Sequence, residues 1–372
     1  MIKYIGSKRL LVPHILRAVA AFPQSERVLD LFSGTSRVAR GLKETGRYVI
    51  ANDHLAYAST LARCYVQADA NRWLDEAKCL IADLSSVNSE PGYFTKAFCD
   101  EARYFKPKNG ARIDAIREEI ARRDLPPELE AIALVSLMEA ADRVDSTTGV
   151  QMAYLKQWAA RASNDLALRV PAILPGPGEA HHLDAVDAAS RVEADIAYID
   201  PPYNQHSYMG NYHVWESLVR WDKPETYGIA NKRVQCRDYK SDFNSKRRIH
   251  RGLKDVFEAL RCRHLLVSFN NEGHVDRDEM IALLSERGQV GVVAVDFKRY
   301  VGAQIGIHSP SGEKVGRVSH LRNKEYIFVV SDRRDTVESV VAAIEASIET
   351  AALASKPSKR KRKDHESERR AE

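Results

Sequence analysis

The chain has 372 residues, a net charge of +5 and five cysteines. That length can bury one large core or two modest ones. No apolar run could span a bilayer, Met1-Ile2-Lys3 opens no cleavable signal pattern, and Cys64, Cys79, Cys99, Cys236 and Cys262 show no CxxC spacing, so a membrane protein, a disulfide scaffold and a zinc site are set aside and a cytoplasmic chain without a metal is expected.

In chain order, Val28 to Ser36 reads as a strand followed by a small-residue turn, and Arg37 to Leu42 as a helix. Small residues let a backbone approach a ligand, and a helix N-terminus presents free N–H groups. Tyr48 to Asp53 reads as a second strand ending in an acid. Asp53 lies about 20 residues past the turn, the place for a carboxylate on ribose hydroxyls, although an acid there can also be a plain cap. Ile113 to Ile120 and Leu129 to Ala141 have helical period, and Gln151 to Ala162 is a third helical candidate. Asp145 to Gly149 is a loop, and Pro171 to Gly178 a linker. The adjacent His181-His182 reads as a surface pair. Ile196 to Ile199 is a short buried strand. Then come Gly252 to Arg261 (helix), His264 to Phe269 (strand), Asp278 to Arg287 (helix), Val290 to Phe297 (strand) and Glu325 to Ser331 (strand). Gly302 to Val318 is a loop or hairpin, and Asp335 to Ala354 a terminal helix. Strands alternating with helices imply an α/β fold with a parallel sheet wound on both sides.

The tetrapeptide Asp200-Pro201-Pro202-Tyr203, at the end of the strand over Ile196 to Ile199, carries the chemistry. The acid can accept a hydrogen bond from an amine. Pro201 offers a carbonyl on a backbone of fixed φ, and Tyr203 a ring on which a planar base can stack. The set suits reaction at the exocyclic amine of a nucleobase; the plainer alternative is a strand closed by a Pro-Pro turn.

These segments resemble the Dam-like, alpha-group adenine-N6 DNA methyltransferases. The resemblance rests on Tyr4-Ile5-Gly6-Ser7-Lys8, the Asp30 to Ser36 loop, Asn52-Asp53, His182-Leu183-Asp184, Asp200 to Tyr203, Ser268 to Gly273 and Asn323 to Ile327, in the family's order. It implies a Rossmann-like class I methyltransferase fold, mostly parallel with a reversed last strand. Residues 1–84 and 179–334 would form the catalytic domain, 85–178 a helical target-recognition insertion, 335–355 a C-terminal helix and 356–372 a basic disordered tail. The implied cofactor is S-adenosyl-L-methionine, held by Tyr4, Lys8, Asp53 and Asp200 with Asp30, Phe32, Gly34 and Asp184 around it. Taken from the residues alone, Lys8 could equally be a salt-bridged surface lysine and Tyr4 a core aromatic. Asp200, Pro201 and Tyr203 would serve an adenine flipped out of double-stranded DNA. A monomer is expected, with any cognate restriction endonuclease on a separate chain.

Charge distribution adds a second expectation. Residues 204–251 carry 10 Lys/Arg against 5 Asp/Glu, with Tyr208, Tyr212, Trp215, Trp221, Tyr227, Tyr239 and Phe243 interleaved. Arg233, Arg237, Lys240, Lys246, Arg247 and Arg248 are the phosphate candidates, while Trp215 and Leu218 have the spacing of a buried helix face. Rival readings are cytosine-N4 methylation of DNA, methylation of an RNA adenine or a protein glutamine, and a non-catalytic binding module. The first two rivals more often carry serine or asparagine at the position of Asp200.

Overall fold

A computed structural model of the chain describes residues 1–205, 207–298 and 322–354. Its organising element is a sheet of seven strands: β1 (Arg27–Asp30), β2 (Tyr48–Asn52), β3 (Gly178–His181), β4 (Glu193–Ile199), β7 (Arg261–Asn270), β8 (Gln289–Lys298) and β9 (Arg322–Ser331). A separate two-stranded ribbon pairs β5 (Thr226–Tyr227) with β6 (Lys232–Arg233). The sheet order is β3-β2-β1-β4-β7-β9-β8. The first five strands of that order run parallel, and β9 is antiparallel to both β7 and β8. This is the Rossmann-like arrangement with a reversed last strand that the family resemblance implied.

Side chains alternate across these strands, so each strand feeds two cores. Val28, Ile196, Leu266, Ile327 and Val329 point to one face. That face is covered by α1 (Val12–Ala21), α2 (Arg37–Glu44) and the terminal helix Arg334–Ala354, through Ile15, Val19, Leu42, Val340 and Ile344. Leu29, Ala197, Ile199, Leu265, Val267 and Phe328 point the other way, onto helices Ala185–Arg191, Ile249–Ala259 and Arg277–Ser285.

A third cluster lies beside the sheet. It joins α3 (Ala56–Ala62), α4 (Ala70–Ser86), α5 (Pro107–Arg122) and α6 (Pro127–Val144) to a later helix, His213–Arg220. In chain order the helices Ala185–Arg191, His213–Arg220, Ile249–Ala259, Arg277–Ser285 and Arg334–Ala354 are α7 to α11. Pro107 and Pro127 open α5 and α6, where a missing N–H costs nothing. Trp215 and Leu218 on α8 are buried, as their spacing suggested.

One expected helix does not form. Between Gln151 and Ala162 the chain turns and bends, with a short 3-10 helix at Ala160–Ser163. Tertiary partners take its hydrogen-bonding groups. The Gln151 carbonyl accepts from the Tyr104 hydroxyl (2.7 Å), its side-chain oxygen from Val214 N (3.0 Å), and its N–H donates to Asn211 O (2.8 Å). The N–H groups of Leu155 and Ala159 both donate to Ser146. The expected loop or hairpin at 302–318 and the tail at 356–372 lie outside the described residues. Among the described residues no helix is long and apolar enough to cross a membrane.

Candidate active site

Parallel strands deliver their C-terminal ends to one edge of a sheet, and ligands bind there. The turns after β1, β2 and β4 meet at that edge. Tyr4, Lys8, Asp30, Phe32, Gly34, Asp53 and Asp200 line a single cleft, together with Ser33, Thr35, Arg37, His54, Pro202 and Tyr208. The turn after β1 is tight. Gly34 has φ +49°, and a Cβ there would sit 3.2 Å from the Tyr4 hydroxyl. Asp53 fixes this turn from the next strand, accepting from Gly34 N and Leu55 N, both at 3.0 Å. Asp30 accepts from Ala39 N (3.1 Å) in the first turn of α2, and its second oxygen is buried with no partner among the described residues. Burial, with Asp200 nearby, pushes the Asp30 carboxyl well above the ordinary carboxylate range. A positive charge entering the cleft would favour its ionised form.

The N-terminal segment closes the cleft from one side. Tyr4 stacks on Tyr208 (5.2 Å) and on Tyr212 (4.7 Å), and Ile5 N donates to the Tyr212 hydroxyl (2.6 Å). Lys8 is buried, its ammonium 3.0 Å from Asp200 Oδ1 and paired also with Glu325. Burial opposes that charge, but Asp200 and Glu325 outweigh burial and hold the ammonium well above the usual lysine range. Burial pushes Asp200 up to about 6, with Lys8 opposing and Glu325 adding to the rise.

Three expected site residues stand apart from the lining. Pro201 is buried. Tyr203 is half-buried, its ring tilted against Phe269 at 5.4 Å, with its carbonyl accepting from His274 N. Asp184 is exposed and caps α7, accepting from Val186 N at 2.9 Å.

The cleft lies at the strand ends where the resemblance led us to look, and comparison with known proteins gives the family. The model of the D12 class N6 adenine-specific DNA methyltransferases matches residues 4–281. The chain belongs to this family. The D12 chain is 33% identical over 321 residues to Modification methylase StsI of Streptococcus sanguinis, covering 80% of this chain and 48% of that protein. It is 30% identical to Type II methyltransferase M.FokI of Planomicrobium okeanokoites, covering 77% of this chain and 47% of the relative. With Type II methyltransferase M.NlaIII of Neisseria lactamica it shares 30% identity, over 80% of this chain and 92% of the relative. It thus spans about half the length of the first two relatives and nearly all of the third.

The phosphate candidates of this D12 chain divide into exposed and buried groups. Lys240, Lys246 and Arg247 are exposed. Arg237 is exposed with its guanidinium over the Tyr227 ring at 4.0 Å, and Arg248 is ion-paired with Asp242 at 2.8 Å. Arg233, expected on the DNA-facing surface, is instead fully buried. Its two terminal nitrogens donate to the two oxygens of Asp222 at 2.8 and 2.6 Å. That bidentate pair ties the ribbon to the end of α8, which removes Arg233 from any phosphate.

Sequence reasoning did not single out Glu325, Arg37, His54 or Tyr208 as site residues. Glu325 stood in a segment that resembled the family, which was the one available signal. His54 directly follows Asp53 and stacks on Tyr239 at 5.1 Å, a contact across 185 positions that no local pattern announces.

Proposed function

We propose that this protein methylates the N6 amine of adenine in double-stranded DNA, using S-adenosyl-L-methionine and flipping the target base, as the modification enzyme of a restriction-modification system. The observation that carries the reading is Asp200 in the wall of the cleft, directly after the strand next to the one that positions Asp30. The unpartnered Asp30 oxygen and the glycine turn against Tyr4 fit a cationic ligand with a ribose. Asp53, Asp30 and Tyr4 would hold it. When bound, S-adenosylmethionine supplies an electrophilic methyl carbon on a sulfonium.

The chain's own residues act on the amine. An adenine N6 lone pair is delocalised into the ring and attacks poorly. Accepting its two hydrogens, at the Asp200 carboxylate and the Pro201 carbonyl, draws the nitrogen toward a tetrahedral geometry and frees the pair. One N–C bond forms as one S–C bond breaks, and the proton that N6 loses passes to Asp200 and on to solvent. Tyr203 offers ring surface to the extruded base. The names of the relatives, one a modification methylase and two type II methyltransferases, support the assignment to a restriction-modification system.

Transfer of labelled methyl to unmethylated duplex DNA, RNA and protein tests this. Duplex DNA should be labelled at adenine N6, and Asp200→Ala should abolish labelling while its circular dichroism stays that of wild type. Full activity in Asp200→Ala, or label on cytosine N4, would overturn the reading.

A further inference from the structure

The mechanism above leaves unused a buried charge beside the Lys8–Asp200 pair. Glu325, on β9, is 4% exposed. Three donors converge on it: the Lys8 ammonium, the Ser268 hydroxyl (3.2 Å) and the Asn270 amide (3.2 Å). Asn270 is its register partner across the antiparallel β7–β9 pair. A buried carboxylate is costly unless it is paired, and this one pairs with the lysine that already contacts Asp200.

We infer that Glu325 is a positioning residue for methyl transfer: it shares the Lys8 ammonium with Asp200, so that the Asp200–Lys8–Glu325 group carries one net negative charge where the adenine amine becomes positive. The inference rests on the reading of Asp200 as the amine's acceptor. Lys8 alone would neutralise Asp200 and hold its Oδ1 in a tight ion pair. With Glu325 as a second partner, the ammonium stays fixed between two carboxylates and Asp200 remains a better acceptor. Bonds from Ser268 and Asn270 hold Glu325 in place, so the arrangement is set before any base arrives.

Other ionisable groups face Asp200 as well. Asp30 and Tyr198 do so from β1 and β4, and Tyr203 and Tyr208 from the chain after the motif. Of these, Tyr203 also feels Glu325, but its phenol is pushed up to about 12 and stays neutral near pH 6, so a shift measured there reports the triad.

Two readouts test the inference. The pH profile of kcat/KM reports the free enzyme's essential acceptor, whose acid limb should lie near pH 6 in wild type. Glu325→Gln should move that limb down by about one unit, and Lys8→Met should move it up. At pH 8, Glu325→Gln should lose about tenfold in kcat, the equivalent of one unit of acceptor strength. The second readout needs no turnover. In cofactor-free protein carrying 13C-carboxyl aspartate, the Asp200 resonance, identified by its loss in Asp200→Asn, should shift its midpoint in the same two directions. Glu325→Asp, which keeps the charge, should restore the limb toward its wild-type position. If Glu325→Gln leaves both limb and resonance unmoved, or if Glu325→Asp moves them as Gln does, the inference is overturned. Activity in Asp200→Asn would overturn the acceptor reading itself, and that result is distinct from a dead Asp200→Asn with an unmoved limb.

Discussion

Burial raises the Asp200 carboxyl from an ordinary 3.8 to about 6, so its ionised form, the one that accepts an amine, is disfavoured by the fold. The folded state then binds more protons than the unfolded chain between about pH 4 and 6, and stability falls as pH rises through that window. The cost at neutral pH is up to about 3 kcal/mol, since one unit is worth about 1.4. Asp200→Asn mimics the neutral form. It should therefore raise the melting temperature at pH 7.5, and the gain should fade below pH 4, where the wild-type acid is protonated. Thermal melts of both proteins at the two pH values check this, and an Asn variant that melts below wild type at pH 7.5 would contradict it. At this scale the sequence was legible where a residue adjoined a strand end. Asp30, Asp53 and Asp200 all follow that rule, and strand ends converge by topology. Glu325 was not legible as a partner of Lys8, because 317 positions separate them and no local pattern joins a strand residue to the N-terminal turn.

Elements were legible where periodicity was strong and local. Helices α5 and α6, the sheet strands other than β3 and the terminal helix carry apolar periods that their own cores satisfy, whereas β3 (Gly178–His181) fell between an expected linker and a histidine pair and was not foreseen. The segment after Gln151 was misread because its hydrogen-bonding groups serve Tyr104, Asn211 and α8 rather than a helical ladder. Propensity yields to tertiary contact in such segments. The same kind of contact couples α5 to α8. Arg117, 4% exposed on α5, donates to Leu218 O (2.8 Å) and Val219 O (3.0 Å) near the end of α8, and its cation lies 5.3 Å from the Trp221 ring centroid. Trp221 ends that helix in a left-handed conformation, φ 52°. Terminal carbonyls need such donors. Arg117→Met keeps the apolar stem and removes two charge-assisted bonds, so it should destabilise the protein by about 2–4 kcal/mol. Urea unfolding should show a lowered midpoint with an unchanged slope, and an unchanged midpoint would assign Arg117 no structural role.

Across the whole molecule, the basic stretch from 204 to 251 directly follows the Asp200 to Tyr203 motif, and the structure sorts its charges into those that face water and those that hold the fold. A phosphate contact releases counterions, so each one adds about 0.9 to the slope of log affinity against log salt. Lys246 and Arg247 are exposed neighbours just before α9, whereas Arg233 is buried against Asp222. The two classes should therefore behave differently. Replacing both Lys246 and Arg247 by Ala should weaken DNA binding uniformly across sequences and lower the salt slope by about 2, with the melting temperature unchanged. Arg233→Ala should leave the slope where it is. It should instead cost about 2–3 kcal/mol of stability, because Asp222 and the Ser217 hydroxyl lose their donor. Fluorescence anisotropy with a labelled duplex between 50 and about 200 mM salt reads the slopes, and thermal melts read the stability. A slope that holds in the double variant would move the DNA path off Lys246 and Arg247, and a slope that falls in Arg233→Ala would mean that Arg233 leaves Asp222 for a phosphate.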